Sequence, residues 1–251
     1  MRVALFVTCL VDLFRPSVGF ASVRLLERLG AEVGVPPAQT CCGQPAYNNG
    51  DFKTARAIAR QVIAAFDGFD HVVVPSGSCA GMLVRHYPEL FCNEPETLAR
   101  AQNLAARTRE LSAFLAESGG APVIDTPFSG KVAMHDSCSA RRELGIVDAP
   151  RALLGKLAGV ESVELKEAET CCGFGGTFCV KYPDISARMV TDKADAVIAS
   201  GADMLVSGDL GCLMNIAGRL KRMDSTVRVY HLAELLAGMT DAPGIADPDK
   251  T

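Results

Sequence analysis

Residues 169–179 read ETCCGFGGTFC, two adjacent cysteines, a glycine run and a third cysteine, and an earlier stretch, QTCCGQP at 39–45, carries the same pair ahead of a glycine. The pair is the centre of a larger repeat. Cys9 corresponds to Cys138, Cys41-Cys42 to Cys171-Cys172 and Cys79 to Cys212, with 31 and 32 residues before the pair and 36 and 39 after it. The flanks agree as well: SGSCAGML (76–83) ends the first copy and SGDLGCLMNI (207–216) the second. A duplication that keeps its cysteine spacing while other positions diverge points to chemistry, because the fold alone would keep only the hydrophobic pattern.

Outward from the cysteines, strand and helix patterns alternate. VALFVTC, AEVGVP and DHVVVPSGSCAG read as strands leading to Cys9, Cys41 and Cys79, separated by helices over VGFASVRLLERLG, with Gly30 as its stop, and FKTARAIARQVIAAF. The second half repeats this: KVAMHDSC, ESVELKEAETCCG and ADMLVSGDLGC as strands reaching Cys138, Cys171 and Cys212, with a helix over ISARMVTDKADAVIAS. ETLARAQNLAARTRELSAFLAE reads as one long helix, VRVYHLAELLAG as a last strand and helix, and TDAPGIADPDKT as a polar, frayed tail. The fold class is α/β, two pseudo-symmetric Rossmann-like halves with parallel sheets. The Gly/Pro-rich SGGAPVIDTPFSG places the boundary between domains 1–120 and 121–251.

With 251 residues, 49% of them hydrophobic, and a net charge of −4, the chain has the composition of a globular protein and no Lys/Arg-rich run to bind nucleic acid. MRVALFVTCLVDLF resembles a signal peptide only until Asp12 interrupts it, and no run of about 18 apolar residues suits a membrane span. A cytoplasmic location is expected, where ten cysteines stay reduced and a disulfide framework is the poorer use of them.

In an open α/β sheet, ligands bind where loops leave the carboxyl ends of strands, so three loops can bring four sulfurs of each half together. The expected sites are Cys9, Cys41, Cys42 and Cys79, and Cys138, Cys171, Cys172 and Cys212. Helix N-termini after the CC-Gly turns favour thiolates, and Gly43 and Gly173 let the backbone approach closely. Adjacent cysteines converge poorly on one small ion and suit a multi-iron cluster. Zinc, in one or both sites, and thiol chemistry without metal remain open.

At the duplicated CC-Gly, HDSC at 135–138, CCGFGGTF at 171–178, GCLMNI at 211–216 and HLAELL at 231–236, the sequence resembles the cysteine-rich CCG-domain family over nearly its whole length. It is most similar to the lactate utilization branch, with the iron–sulfur component of glycolate oxidase and the cysteine-rich component of heterodisulfide reductase as more distant relatives. The resemblance implies iron–sulfur ligation by the CCG cysteines, [4Fe–4S] being the expected type with one or two clusters. It also implies electron transfer in a complex that oxidises L-lactate to pyruvate, beside a ferredoxin-like Fe–S subunit and a third lactate utilization subunit. Fuller family members end each motif in C-x-x-C. Here Ser76 and Asp209 stand in the first cysteine's place, and Asp209 is either an oxygen ligand or a turn or helix-cap residue.

Other features compete for a role. GSCAG at 77–81 matches a nucleophile elbow with cysteine for serine, which would make Cys79, Asp209 and His231 a hydrolase triad. His135 and Asp136 are either hydrogen-bond partners of a cluster or a strand-end polar pair, and Arg141, Arg142 and Lys181 read first as solvated surface, with offsetting a cluster's charge or attracting a carboxylate as the alternative. GFGG is read as backbone packed against a cluster, and Cys92 and Cys179 as buried or incidental thiols, with Cys179 near enough to Cys172 to serve as a spare ligand; His71 and His86 carry no pattern.

Overall fold

A computed structural model describes residues 1–119, 128–166 and 168–247. The boundary drawn at 120/121 and the last residues of the tail lie outside the described residues. Residues 240–247 of the tail, where fraying was expected, are instead held to the last strand by backbone hydrogen bonding.

The first half runs β1 (Arg2–Leu5), α1 (Cys9–Phe14), α2 (Pro16–Arg28), β2 (Glu32–Gly34), α3 (Gln44–Asn48), α4 (Phe52–Ala65), β3 (His71–Val74), α5 (Gly77–Gly81), α6 (Tyr87–Leu90), α7 (Pro95–Arg107), β4 (Thr108–Glu110) and α8 (Leu111–Glu117). The second runs β5 (Gly130–Met134), α9 (Cys138–Leu144), α10 (Asp148–Leu154), β6 (Val160–Val163), α11 (Phe178–Lys181), α12 (Pro183–Ala199), β7 (Met204–Ser207), α13 (Leu210–Arg222), β8 (Arg228–His231) and α14 (Leu232–Leu236). Each half builds a four-stranded, all-parallel sheet, in the orders β2-β1-β3-β4 and β6-β5-β7-β8. In that order the chain crosses over between the first and third strands of each half, the place where open α/β sheets bind ligands.

The period-2 side-chain alternation of the strands divides the interior into three layers. Val3, Leu5, Val132 and Met134 point into a core shared by both halves, filled further by Leu25 and Leu26 of α2 and Leu235 and Leu236 of α14. Ala4 and Phe6 point to the outer face of the first sheet, against Ala59, Val62 and Ile63 of α4. Ala133 points the other way in the second sheet, against Val190, Ala194 and Val197 of α12.

The expected helix over 96–117 is a helix, a three-residue strand and a second helix. β4 pairs in parallel with β3, Val72 opposite Thr108 and Val74 opposite Glu110. Of TRE only Thr108 favours a strand, and it sits inside a helix-favouring run, so the strand comes from sheet pairing more than from local preference. It makes the first half a full counterpart of the second: Glu110 caps α8 through Ser112 N–H (2.8 Å), as His231 caps α14 through Ala233 N–H (3.1 Å). The strands also stop earlier than expected. Cys9 and Cys138 open helices, and Cys79 and Cys212 lie in the first turns of α5 and α13 rather than at strand ends. The pair in the first half leads directly into α3, but in the second a run of left-handed glycines, Gly173, Gly175 and Gly176, separates it from α11.

The halves meet through α5 against α9, α2 against α14 and α8 against α10. The GSCAG segment is a close helix crossing rather than a nucleophile elbow. A Cβ on Gly77 would come to 2.6 Å from Ala140 Cβ, and one on Gly81 to 2.5 Å from Glu143 Oε2. Four residues apart on one face, these glycines let α5 lie on α9.

Candidate metal centre

Both halves place four thiols in a hydrogen-bonded chain beyond the carboxyl ends of the first three strands. In the first half Cys9 Sγ donates to Cys41 Sγ at 3.7 Å, and Cys42 hydrogen-bonds to both Cys41 and Cys79. In the second, Cys138 meets Cys171, which meets Cys172, which meets Cys212. Cys42, Cys79, Cys172 and Cys212 are buried, and the other four are half-buried, so each quartet has a closed and an open side. The eight expected residues therefore form two four-thiol chains linked neighbour to neighbour, and among the described residues no three sulfurs of either chain lie within 4.8 Å of one another.

One sulfur in each group is the anion. The hydrogen bonds from Cys42 and Cys9 hold Cys41 down to about 3, and those from Cys138 and Cys172 hold Cys171 down to about 2. Cys9, Cys42, Cys138 and Cys172 are pushed up, because each donates to that thiolate and because burial, deepest at Cys42 and Cys172, desolvates them. Gly43 N–H and Gly173 N–H each point at the anionic sulfur, 3.4 Å away. Both glycines are left-handed, with φ of 83° and 79°, so the motif needs glycine to turn an amide onto sulfur. A soft cation would be held by these thiols as thiolates, displacing their remaining protons. The donor set fits zinc or an iron–sulfur cluster.

The first quartet opens on a cavity of about 200 Å³ to which the second half contributes Phe174, Thr177 and Asp209. Phe174 belongs to GFGG, and its ring fills the space where a Cβ on Gly211 would stand, at 2.5 Å. Asp209 is not aimed at the second quartet. Its carboxylate crosses to the first half, accepting from Ser78 N–H at 2.9 Å and from the Ser76 hydroxyl at 3.4 Å. Its own helix α13 receives no side-chain cap, so Asp209 caps α5 of the other half. Ser76 Oγ accepts from Cys79 N–H at 3.2 Å and holds the same turn.

His231 is committed to the backbone on both sides: Nδ1 accepts from Ala233 N–H, and Nε2 lies 3.2 Å from Pro75 O, where it donates. With Cys79 tied to Cys42 and Asp209 to Ser78, the three form no triad. Asp136 is buried between Arg141 (3.0 Å) and Arg151 (2.9 Å). Arg141 also meets Glu169 at 2.5 Å, so its charge is neutralised within the fold. Arg142 reaches Glu169 O at 3.5 Å, and Lys181 is exposed. Cys92 is exposed, and Cys179 donates to Gly176 O at 3.5 Å. His86 bridges Glu89 and Glu143, 3.0 and 3.2 Å away.

His135 is the residue whose place the sequence least prepared for. It is wholly buried, neither ring nitrogen has a hydrogen-bond partner among the described residues, and a ring nitrogen lies within 4.8 Å of both Cys172 and Cys212 Sγ. Burial and the nearby Lys193 charge push it down to about 4, so the imidazole is neutral at physiological pH. The repeat held the signal: His135 stands three residues before Cys138, where the first half has Phe6 three residues before Cys9.

The signature of the CCG cysteine-rich domain matches the chain twice, over residues 3–84 and 132–217. "Lactate utilization protein A" of Macrococcus caseolyticus (strain JCSC5402) is 48% identical over 96% of this chain and 98% of its own length. The protein of the same name from Geobacillus kaustophilus (strain HTA426) is 49% identical over 94% and 98%. A crystal structure of a hypothetical protein from Helicobacter pylori superposes with a TM-score of 0.70 at 13% identity, over 96% of this chain. The chain spans about half (49%) of that structure, which bears on fold alone. Among the described residues no helix is long and apolar enough to cross a membrane.

Proposed function

This chain belongs to the cysteine-rich CCG-domain family, and from that premise we propose that it is an iron–sulfur-binding, electron-transferring subunit of a cytoplasmic complex that oxidises L-lactate to pyruvate. The observation that carries the reading is the pair of four-thiol chains at equivalent sheet positions. The lactate assignment is supported by relatives named lactate utilization protein A that align along nearly their whole length.

Cys9, Cys41, Cys42 and Cys79 would hold one centre, and Cys138, Cys171, Cys172 and Cys212 the other. A bound cluster supplies a one-electron relay. Cys41 and Cys171, already anionic, are the first ligands to offer, and the other thiols give up their protons on loading. Gly43 and Gly173 N–H groups stabilise charge on sulfur. Arg141 and Arg151 are engaged by Asp136, Glu169 and Glu164, so in this reading the lactate carboxylate binds to another member of the complex. A ferredoxin-like Fe–S subunit and a third lactate utilization subunit are the partners.

The test is iron, acid-labile sulfide and zinc per chain in anaerobically prepared protein, with EPR before and after dithionite, for the parent and Cys172→Ser. Matching iron and sulfide, with a reducible signal that the variant loses or alters, is the expected result. Stoichiometric zinc without an EPR change would remove the redox role and leave a structural module.

A further inference from the structure

We infer that His135 is a metal ligand of the second half, joining Cys172 and Cys212 in a mixed nitrogen–sulfur centre that has no equivalent in the first half. The inference rests on the reading that the quartets hold metal.

The backbone establishes which residues correspond. Phe6 N–H donates to Val73 O at 2.9 Å, and His135 N–H to Val206 O at 2.8 Å, so the two stand at the same step beyond equivalent strands. Both side chains turn to the outer face, beside their half's buried cysteines. In the first half that position is closed hydrocarbon, Phe6 stacked on Phe66 at 5.3 Å. In the second it is a wholly buried imidazole whose two nitrogens have no hydrogen-bond partner among the described residues. Leaving a buried polar atom unpaired costs roughly 1–3 kcal/mol, so a phenylalanine would be the more stable occupant unless something at the site uses the nitrogen.

The neighbouring atoms show what that is. Ligands on a tetrahedral metal at sulfur and nitrogen bond lengths lie about 3.5–3.8 Å from one another. The His135 nitrogen and the Cys172 and Cys212 sulfurs already lie within 4.8 Å of one another, and about 1 Å of side-chain movement brings them to ligating distance. Lys193, 1% exposed with Nζ 3.3 Å from Ala168 O, adds a positive charge near His135 and Cys212. With His135 taking the place of Cys138 or Cys171 beside Cys172 and Cys212, a neutral imidazole replaces one of the four thiolates and raises a cluster's potential, as does a nearby cation. The two centres are chemically unlike, with the second the better electron acceptor.

The experiment uses the full anaerobically prepared chain, labelled with ¹⁵N-histidine, as parent, His135→Phe and His135→Cys. Metal and sulfide per chain are measured with nitrogen hyperfine spectra after dithionite for iron, or K-edge absorption for zinc. The expected result is a histidine nitrogen on the metal of the parent. It is absent from His135→Phe, which also loses the metal that Cys172→Ser loses while keeping that lost by Cys41→Ser. His135→Cys should keep the metal, lack the nitrogen signature and, for a cluster, show a lower second potential. His135→Phe restores the first half's own residue, and far-UV circular dichroism with the retained first centre shows that it folds. No histidine nitrogen in a metal-loaded parent overturns the inference, as does a variant with unchanged metal and spectra. A shifted potential without the nitrogen coupling also overturns it. A parent free of both iron and zinc fails the functional reading itself and takes this inference with it.

Discussion

Glu110, at the end of β4, is an acid the fold prefers uncharged, and Glu110→Gln turns that into a stability difference that depends on pH. The side chain is 4% exposed, and burial pushes the carboxyl up from 4.5 to about 7, opposed by the hydrogen bonds from Ser112 and Ala113 and aided by the charge of Asp209. Between pH 4.5 and 7 the folded chain binds more protons at this group than the unfolded chain, so stability falls as pH rises through that window. Above pH 7 the loss is complete. The difference between 4.5 and about 7 converts to about 3 kcal/mol at pH 8 and about 1 kcal/mol at pH 5. Glutamine keeps an acceptor for Ser112 N–H and cannot ionise. Urea unfolding at pH 5, 6, 7 and 8, parent beside variant, should show the variant's relative stability rising by about 2 kcal/mol from pH 5 to pH 8. A difference that stays constant with pH would refute the reasoning, since Glu110 would then titrate as an ordinary solvated glutamate.

Two further predictions concern the seam between the halves. Gly77→Ala puts a methyl at 2.6 Å from Ala140 Cβ and should destabilise by about 1–3 kcal/mol in denaturant titration, with a favourable coupling when Ala140→Gly is added. Additivity of the two changes would show that α5 does not lie on α9 as described. Asp209→Ala removes the carboxylate that accepts from Ser78 N–H and should lower stability by about 1–3 kcal/mol, with Asp209→Asn losing less. In metal-loaded protein the same change should disturb the first centre, the one Cys41→Ser abolishes, because Asp209 caps the helix that carries Cys79. An effect confined to the second centre would contradict that path.

Much of this was legible because cysteine spacing and strand–helix alternation are local or periodic signals. The quartets were readable from the repeat, and α2 and α4 from the spacing of Leu25, Leu26, Ala59 and Ile63. β4 was not, since three polar residues inside a helix-favouring run become a strand only when β3 supplies hydrogen bonds. Gly77 and Gly81 looked like an elbow because G-x-S-x-G and a close helix crossing share the same glycine spacing, and only Ala140 and Glu143, about sixty residues away, decide between them. The sequence left Asp209 as either an oxygen ligand or a turn or cap residue, and the cap it makes belongs to the other half: no local pattern announces a cap that crosses 131 residues. For His135 the sequence showed a residue beside a cysteine, whereas the orphaned nitrogens belong to the packing.

The contacts between the halves come in matched pairs. α2 lies on α14 as α10 lies on α8, and α5 lies on α9 as α13, more lightly, meets α1. These exchanges are the rule of a two-fold axis, under which each partner presents the same patch and receives it. Such pairing is self-limiting: once two copies have met, no equivalent patch is left for a third, and the assembly ends at two instead of growing into a fibre. Joining both copies in one chain also fixes their ratio at one to one and releases them from identity. Phe6 and Ser76 can then differ from His135 and Asp209 at corresponding positions, a divergence closed to a true homodimer, in which every substitution appears twice.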